Sequence, residues 1–294
     1  MNDFLQTVFS GVLTGLVYSV IAVAFVVVYR ASQILNFAQG MVLAIGGYLV
    51  AWLALSSPLP LWLAIIVAFA ISALMGLAIE RFLFRRLIGE PLFSLVMVTL
   101  GLYVVLAGVS MMIWGPEYRP FPELFPKEIL QIGPFQFPQS LFWGGFIAVV
   151  VIIALVLFFE RTKWGLRMSA VAEGQQVAQA MGISVEQSIA VAWALSGVIS
   201  TLAAIILLSG RTMSVGVGDV GMRALPIALL GGLESVRGVI PAGLIVGIAG
   251  AVSAFYLDSI TSGGIAEIVP FVIMVIIVAI RPSGLFGWKT IERV

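Results

Sequence analysis

Residues 160–187 read ERTKWGLRMSAVAEGQQVAQAMGISVEQ, the longest polar interruption in the second half of a chain that is otherwise strongly apolar. Arg161, Lys163 and Arg167 follow directly on an apolar run that ends at Phe159. Val171, Gly174, Ala178, Met181 and Val185 then recur at the i, i+3, i+7 spacing of one helix face, and Glu173, Gln175, Gln176 and Gln179 fall off that stripe. Gly182 suits the C′ position that ends a helix, with Ile183 packing back on Val177 or Ala178. Ser184 followed by Gln187 reads as a capping box that opens the next helix. The spacing therefore predicts a short surface helix near 169–182, set between two membrane helices. Periodicity leaves two readings open, a docking helix for a soluble partner and a solvated loop lying on the membrane surface or its own bundle.

Outward from this stretch, composition sets the class. The chain has 294 residues, 61% hydrophobic and 10% charged, far below the roughly 25% charged of a soluble domain. This is the composition of an integral membrane protein. A net charge of +1 offers no basic surface for nucleic acid. There is no Cys and no His, which excludes disulfides, thiolate nucleophiles, imidazole bases and the usual zinc sites. The opening MNDFLQTVFSG has no basic segment of the kind that starts a cleaved signal peptide, so its apolar run is expected to remain.

Apolar runs follow at 4–29, 41–55, 61–79, 92–113, 141–159, 189–208, 222–233, 239–257 and 265–280. Most reach the ~20 residues that span a bilayer; 41–55 and 222–233 are short. The fold expected is all-α and polytopic, with about 8–10 transmembrane helices, some broken or re-entrant, and a cytoplasmic coupling helix. The whole chain reads as a single transmembrane domain. Gly11 with Gly15, and Gly243 with Gly247, are small-xxx-small pairs suited to close helix contact. Residues 114–140 carry Pro116, Pro120, Pro122, Pro126, Pro134 and Pro138, which forbid a continuous helix. Lys and Arg concentrate at 80–90, at 160–167 and in the tail with Arg281, Lys289 and Arg293. The positive-inside rule places these in the cytoplasm and the 114–140 loop outside; taking 222–233 as a crossing gives about nine spans.

Residues 31–47 and 222–238 are both short, glycine-interrupted and polar at one end. Paired broken segments in two halves of a transporter point to a pathway between them. Its candidate lining is Asn36, Phe37, Gln39, Gly40, Gly46 and Gly47 in the first segment and Pro226, Gly231 and Gly232 in the second. The bland alternative is that these glycines only permit tight packing. No phosphate-binding G-x-x-x-x-G-K-[ST] loop occurs, no run of intramembrane carboxylates suggests an ion relay, and no nucleophile–base pair suggests an enzyme.

Three motifs then carry a resemblance. Residues 34–40, ILNFAQG, are similar to an I-N-F-A-H-G segment, with Gln39 where His is usual. Ala172-Glu-Gly, Ala178 and Met181-Gly-Ile-Ser184 resemble an A-E-D…A…L-G-I-N coupling loop, with Gly174 and Ser184 as departures. ALLGGLESVRG at 228–238 and RPSGLFG at 281–287 resemble closing segments of the same family. That family is the membrane permeases of bacterial ABC importers for branched-chain amino acids, the LivH-like subunit. The resemblance implies an inner-membrane permease that transports rather than catalyses. It implies a second homologous permease subunit, two cytoplasmic ATP-binding subunits and a periplasmic substrate-binding protein. ATP and Mg would be bound by those partners and no cofactor by this chain. The loop 160–187 would couple to the ATPases through Val171, Ala172, Glu173, Ala178, Met181, Gly182 and Ile183. Related permeases carry urea, amides or other small organic solutes, which is the alternative substrate class. A self-sufficient secondary transporter or channel is the competing mechanism, and a membrane enzyme or scaffold a third.

Overall fold

The computed structural model describes residues 2–87, 89–126, 128–132, 135–261, 264–281 and 283–287. The apolar runs are helical, as they must be where a bilayer offers no partner to an open backbone. Among the described residues six helices are long and apolar enough to cross: α1 (Asn2–Ser32), α3 (Leu61–Phe82), α4 (Leu92–Trp114), α5 (Gln139–Arg161), α8 (Val185–Leu208) and α11 (Val239–Thr261). Two apolar helices are shorter, α2 (Gln39–Leu55, 17 residues) and α12 (Ile265–Ile280, 16 residues). The fold is thus the expected polytopic helical one.

The remaining α-helices are short: α6 (Lys163–Glu173), α7 (Gln175–Ala180) and α9 (Val217–Met222) in polar interruptions, and α10 (Leu225–Gly231) in the 222–233 run. The count of nine spans needs correcting here. Past Met222, which ends α9, the 222–233 run is helical only over the 7 residues of α10, which rise about 10 Å, a third of the hydrocarbon thickness. No helix in that run crosses alone. Lys289 and Arg293 of the basic tail, and Pro134, lie outside the described residues.

Among its described residues the proline-rich connection forms no helix between α4 and α5. Instead β1 (Arg119–Pro120) pairs antiparallel with β4 (Thr212–Met213), and β2 (Ile129–Ile132) pairs with β3 (Phe135–Pro138).

Two compact units divide the chain. One comprises residues 1–26, 127–154 and 223–294. In it the two small-xxx-small pairs meet each other. A Cβ on Gly15 would lie 2.2 Å from the carbonyl oxygen of Gly243, and one on Gly11 would lie 2.8 Å from that of Gly247. The Ser19 hydroxyl donates within α1 to Gly15 O at 2.8 Å and across to Val239 O of α11 at 3.3 Å. Phe9 packs on Phe135 of the hairpin with ring centroids 4.8 Å apart.

The other unit comprises residues 27–126 and 155–222. Here α2, α3 and α8 pack together through more glycines, Gly76 against the backbone of Trp193 and Gly197 against that of Ser72. Its apolar core joins Val28, Ala38, Val42, Ile79 and Trp193 to Val171, Ala178 and Val185 of the 160–187 stretch. Phe84 stacks on Trp193 at 4.6 Å. Arg85 bridges Glu80 at 3.3 Å and Glu186, at the start of α8, at 3.2 Å. The positive loops at 80–90 and 160–167 therefore share one end of this unit, and the β1–β4 pair lies at the other end of α4 and α8.

Candidate functional site

After Ser32 the chain leaves the helix, with Gln33 at φ +56°, and re-enters at Gln39. This short break carries two buried amides that satisfy each other. Asn36 Nδ2 donates to Gln39 Oε1 at 2.8 Å, and Asn36 Oδ1 accepts from the Ala38 N–H at 3.1 Å. Gln39 Nε2 donates to Ser196 Oγ at 2.9 Å and Ser200 Oγ at 2.5 Å, both on α8. Thr201, one residue on, donates to Ser72 Oγ at 2.6 Å. Gln39 is 1% exposed, so without this set it would leave costly polar atoms in an apolar medium. The network ties the α1–α2 connection to α8. Phe37 stands beside it, half-buried.

The neighbouring glycines are packed, not open. A Cβ on Gly40 would lie 2.0 Å from the backbone oxygen of Gly218, and one on Gly221 would lie 2.6 Å from Gly40 Cα. Gly46 faces Thr201, and Gly47 faces Leu208 and Met213. Three glycines thus seat α9 against the start of α2. The side chain of Asp219, between those glycines in sequence, is exposed and accepts a hydrogen bond from the Tyr103 hydroxyl at 2.6 Å. Sequence reasoning missed this carboxylate because it sits in a glycine-rich stretch that reads as a loop; the signal was a lone acid only a few residues from long apolar runs.

Pro226, Gly231 and Gly232 belong to the other unit and do a different job. Pro226 lies in the first turn of α10, where its missing N–H costs nothing. Gly231 abuts the Gly238 carbonyl, and Gly232, at φ +93°, abuts the backbone of Gly287. The Leu285 N–H donates to Leu230 O at 2.8 Å. The turn is fastened main chain to main chain.

The expected helix at 169–182 is an elbow of two. Thr162 caps α6, accepting from the Gly165 N–H at 3.1 Å. The helix stops at Gly174, where glycine's backbone freedom weakens the hold on helical geometry, and α7 restarts at once. Its end is the predicted one: Gly182, at φ +78°, donates to Gln179 O and Ile183 N–H to Ala178 O, each at 2.9 Å, a Schellman motif. Ser184 Oγ then accepts from the Gln187 N–H and opens α8.

The stripe itself needs correction. Val171 and Ala178 are 1% exposed and belong to the unit's own core. They cannot be the face offered to a partner. Met181 is 74% exposed and Val177, which the spacing left off the stripe, is 65% exposed. Glu173 and Gly182 are exposed, while Ala172 and Ile183 are half-buried. The elbow is held from inside by its small and branched residues and shows two large apolar side chains outward.

Comparison with known proteins gives one consistent family. The chain matches the branched-chain amino acid transport system permease component family over residues 7–278. The high-affinity branched-chain amino acid transport system permease protein LivH of Salmonella typhimurium is 27% identical over 309 residues, covering 99% of this chain and 98% of the relative. The corresponding protein BraD of Pseudomonas aeruginosa is 27% identical over 311 residues, with the same coverage. A probable permease LivH of Methanocaldococcus jannaschii is 27% identical over 291 residues, 93% of this chain and 90% of the relative.

Proposed function

The chain belongs to the branched-chain amino acid transport permease family, and we propose that it is the membrane subunit of an ATP-driven importer for branched-chain or other hydrophobic amino acids. In this reading it sits in the bacterial inner membrane beside a second homologous permease. Two ATP-binding subunits, holding ATP and Mg, engage the end of the bundle that carries Arg85 and the α6–α7 elbow. A periplasmic binding protein delivers solute to the end that carries the 114–140 loop.

The observation that carries the coupled-subunit reading is the elbow. Val177 and Met181 are exposed on a segment whose other side, Val171 and Ala178, is locked into the core. Exposed large apolar residues on a rigid support suit a docking contact. That core also contains Val185, Ile189 and Trp193 of α8 and Ala38 and Val42 of the α1–α2 region. A push on the elbow would reach α8 by packing and then Gln39 through Ser196 and Ser200. The contiguous contacts supply a physical route for coupling.

The test compares substitutions on the two sides of the elbow in the complete complex. Val177→Asp and Met181→Asp should insert and fold normally but lower substrate-stimulated ATP hydrolysis at least about tenfold, because each would bury an unpaired charge in the contact. Ala178→Asp should reduce the yield of folded permease itself, and Gln175→Asp should change little. Wild-type hydrolysis and uptake in the Val177 and Met181 variants would remove the docking role.

A further inference from the structure

α4 spans 23 residues with Tyr103 in the middle, about 16 Å from either end. Its hydroxyl donates to Asp219 Oδ1 at 2.6 Å. The carboxylate is therefore held near mid-depth of a membrane-spanning unit, not in a surface loop. Its height is set by backbone: α9 cannot slide along α2 without driving Gly218 and Gly221 into Gly40.

Among the described residues no cation pairs with Asp219. The nearest in sequence, Arg223, is engaged by Glu267 at 2.9 Å. One hydroxyl satisfies one lone pair of a group that accepts about four hydrogen bonds, and Asp219 as a residue is exposed. A charge at this depth does not face acyl chains; intramembrane carboxylates face water-filled cavities or partners of opposite charge. We propose that Asp219 lines the solute pathway and takes the ammonium group of a zwitterionic amino acid, with Tyr103 as the positioning residue that holds the carboxylate in place. This rests on the importer reading and names the recognition group within it.

The absence of native cysteine allows a test that does not depend on transport. Gly216, a turn before Asp219, is exposed, and a Cβ there would meet only the Ser214 hydroxyl at 3.5 Å. Gly216→Cys, in membranes containing the complete complex, is treated with a cationic thiol reagent, trimethylammonium-ethyl methanethiosulfonate, and with its anionic sulfonatoethyl counterpart. The cation should react at least about tenfold faster, the scale on which a charged cleft enriches its counter-ion. Adding Asp219→Asn should bring the two rates together. Labelling of Glu123→Cys in the same preparations confirms that each variant is inserted. In parallel, Asp219→Asn should lower leucine uptake at least about tenfold while Asp219→Glu keeps most of it, since carboxylate is retained.

Equal rates for the two reagents, or no labelling at 216 beside normal labelling at 123, would overturn the assignment, because the carboxylate would then face lipid or a covering protein. Wild-type leucine uptake in Asp219→Asn would overturn it too. Charge-selective labelling in a complex that takes up no leucine at all would leave the cation site standing and count against the importer reading alone.

Discussion

At residues 36–47 glycine brings a second helix against a wall of buried amides and hydroxyls, whereas at residues 226–238 it brings backbone against backbone with no buried amide between. In the first region Gly40 seats α9, Gln39 binds α8 and is itself held by Asn36, and an exposed carboxylate stands on the seated helix. In the second, Gly231 meets Gly238, Gly232 meets Gly287, and the links are amide to carbonyl. Close approach alone is therefore neutral as to function. What separates a region suited to a polar solute from a structural clasp is the chemistry the glycine lets in.

The largest effect expected from this contrast is at Gly40. An added methyl would stand 2.0 Å from the Gly218 carbonyl oxygen, which is backbone and cannot swing aside. Gly40→Ala, and more so Gly40→Leu, should displace α9 and abolish leucine uptake while membrane insertion and assembly with partner subunits persist. Uptake surviving in Gly40→Leu would dissolve the distinction, since the seat of α9 would then not matter for transport.

Local and long-range contacts differ in how far they were legible in the sequence. The long apolar helices, the broken start of α2, the glycine stop at Gly182 and the cap at Ser184 followed from local rules, because propensity, capping and apolar length act over a few residues; the split of the 169–182 helix at Gly174 and the short α10 did not. The meeting of Gly11 and Gly15 with Gly243 and Gly247 was half legible: the pairs could be seen, their partnership could not. What the stripe faces at 171–181 was not legible, since periodicity defines a face without saying what covers it. Val171 and Ala178 turned inward, and the exposed positions include Val177, off the stripe. Asp219 was hidden for a related reason: its depth depends on a hydrogen bond to Tyr103, 116 residues away in sequence.

A smaller effect, and of another kind, is expected at Gly232. Its φ of +93° is a conformation that side-chain-bearing residues rarely adopt, and a Cβ there would lie 2.5 Å from Gly287 N. Gly232→Ala should cost about 1–3 kcal/mol in backbone strain, seen as a lower thermal midpoint and a lower yield of the purified complex. Uptake per assembled complex should stay near wild type. If uptake instead falls with no loss of stability, the 226–238 turn is part of the pathway and the contrast between the regions fails.

The smallest effect is the most informative about the polar wall, and it lies at Gln39, where the resembling family motif carries histidine. Gln39 presents one acceptor to Asn36 and one amino group shared by Ser196 and Ser200. A neutral imidazole has the same polarity, one accepting and one donating nitrogen, but a single N–H to give. Gln39→His should thus keep the Asn36 bond and one serine bond. The released serine hydroxyl can turn to a carbonyl of its own helix, four residues back. The net loss should be about 1 kcal/mol or less, with uptake nearly unchanged. Gln39→Leu has no such recourse: it strands the Asn36 amide in a site that is 1% exposed, at a cost of about 1–3 kcal/mol. Thermal midpoints and leucine uptake of the two variants should rank wild type, His, Leu in falling order. A leucine variant as good as wild type would mean the wall is dispensable. A histidine variant worse than leucine would mean the amide does something its hydrogen bonds do not explain, and would move Gln39 from a residue that holds helices together to one that meets the solute.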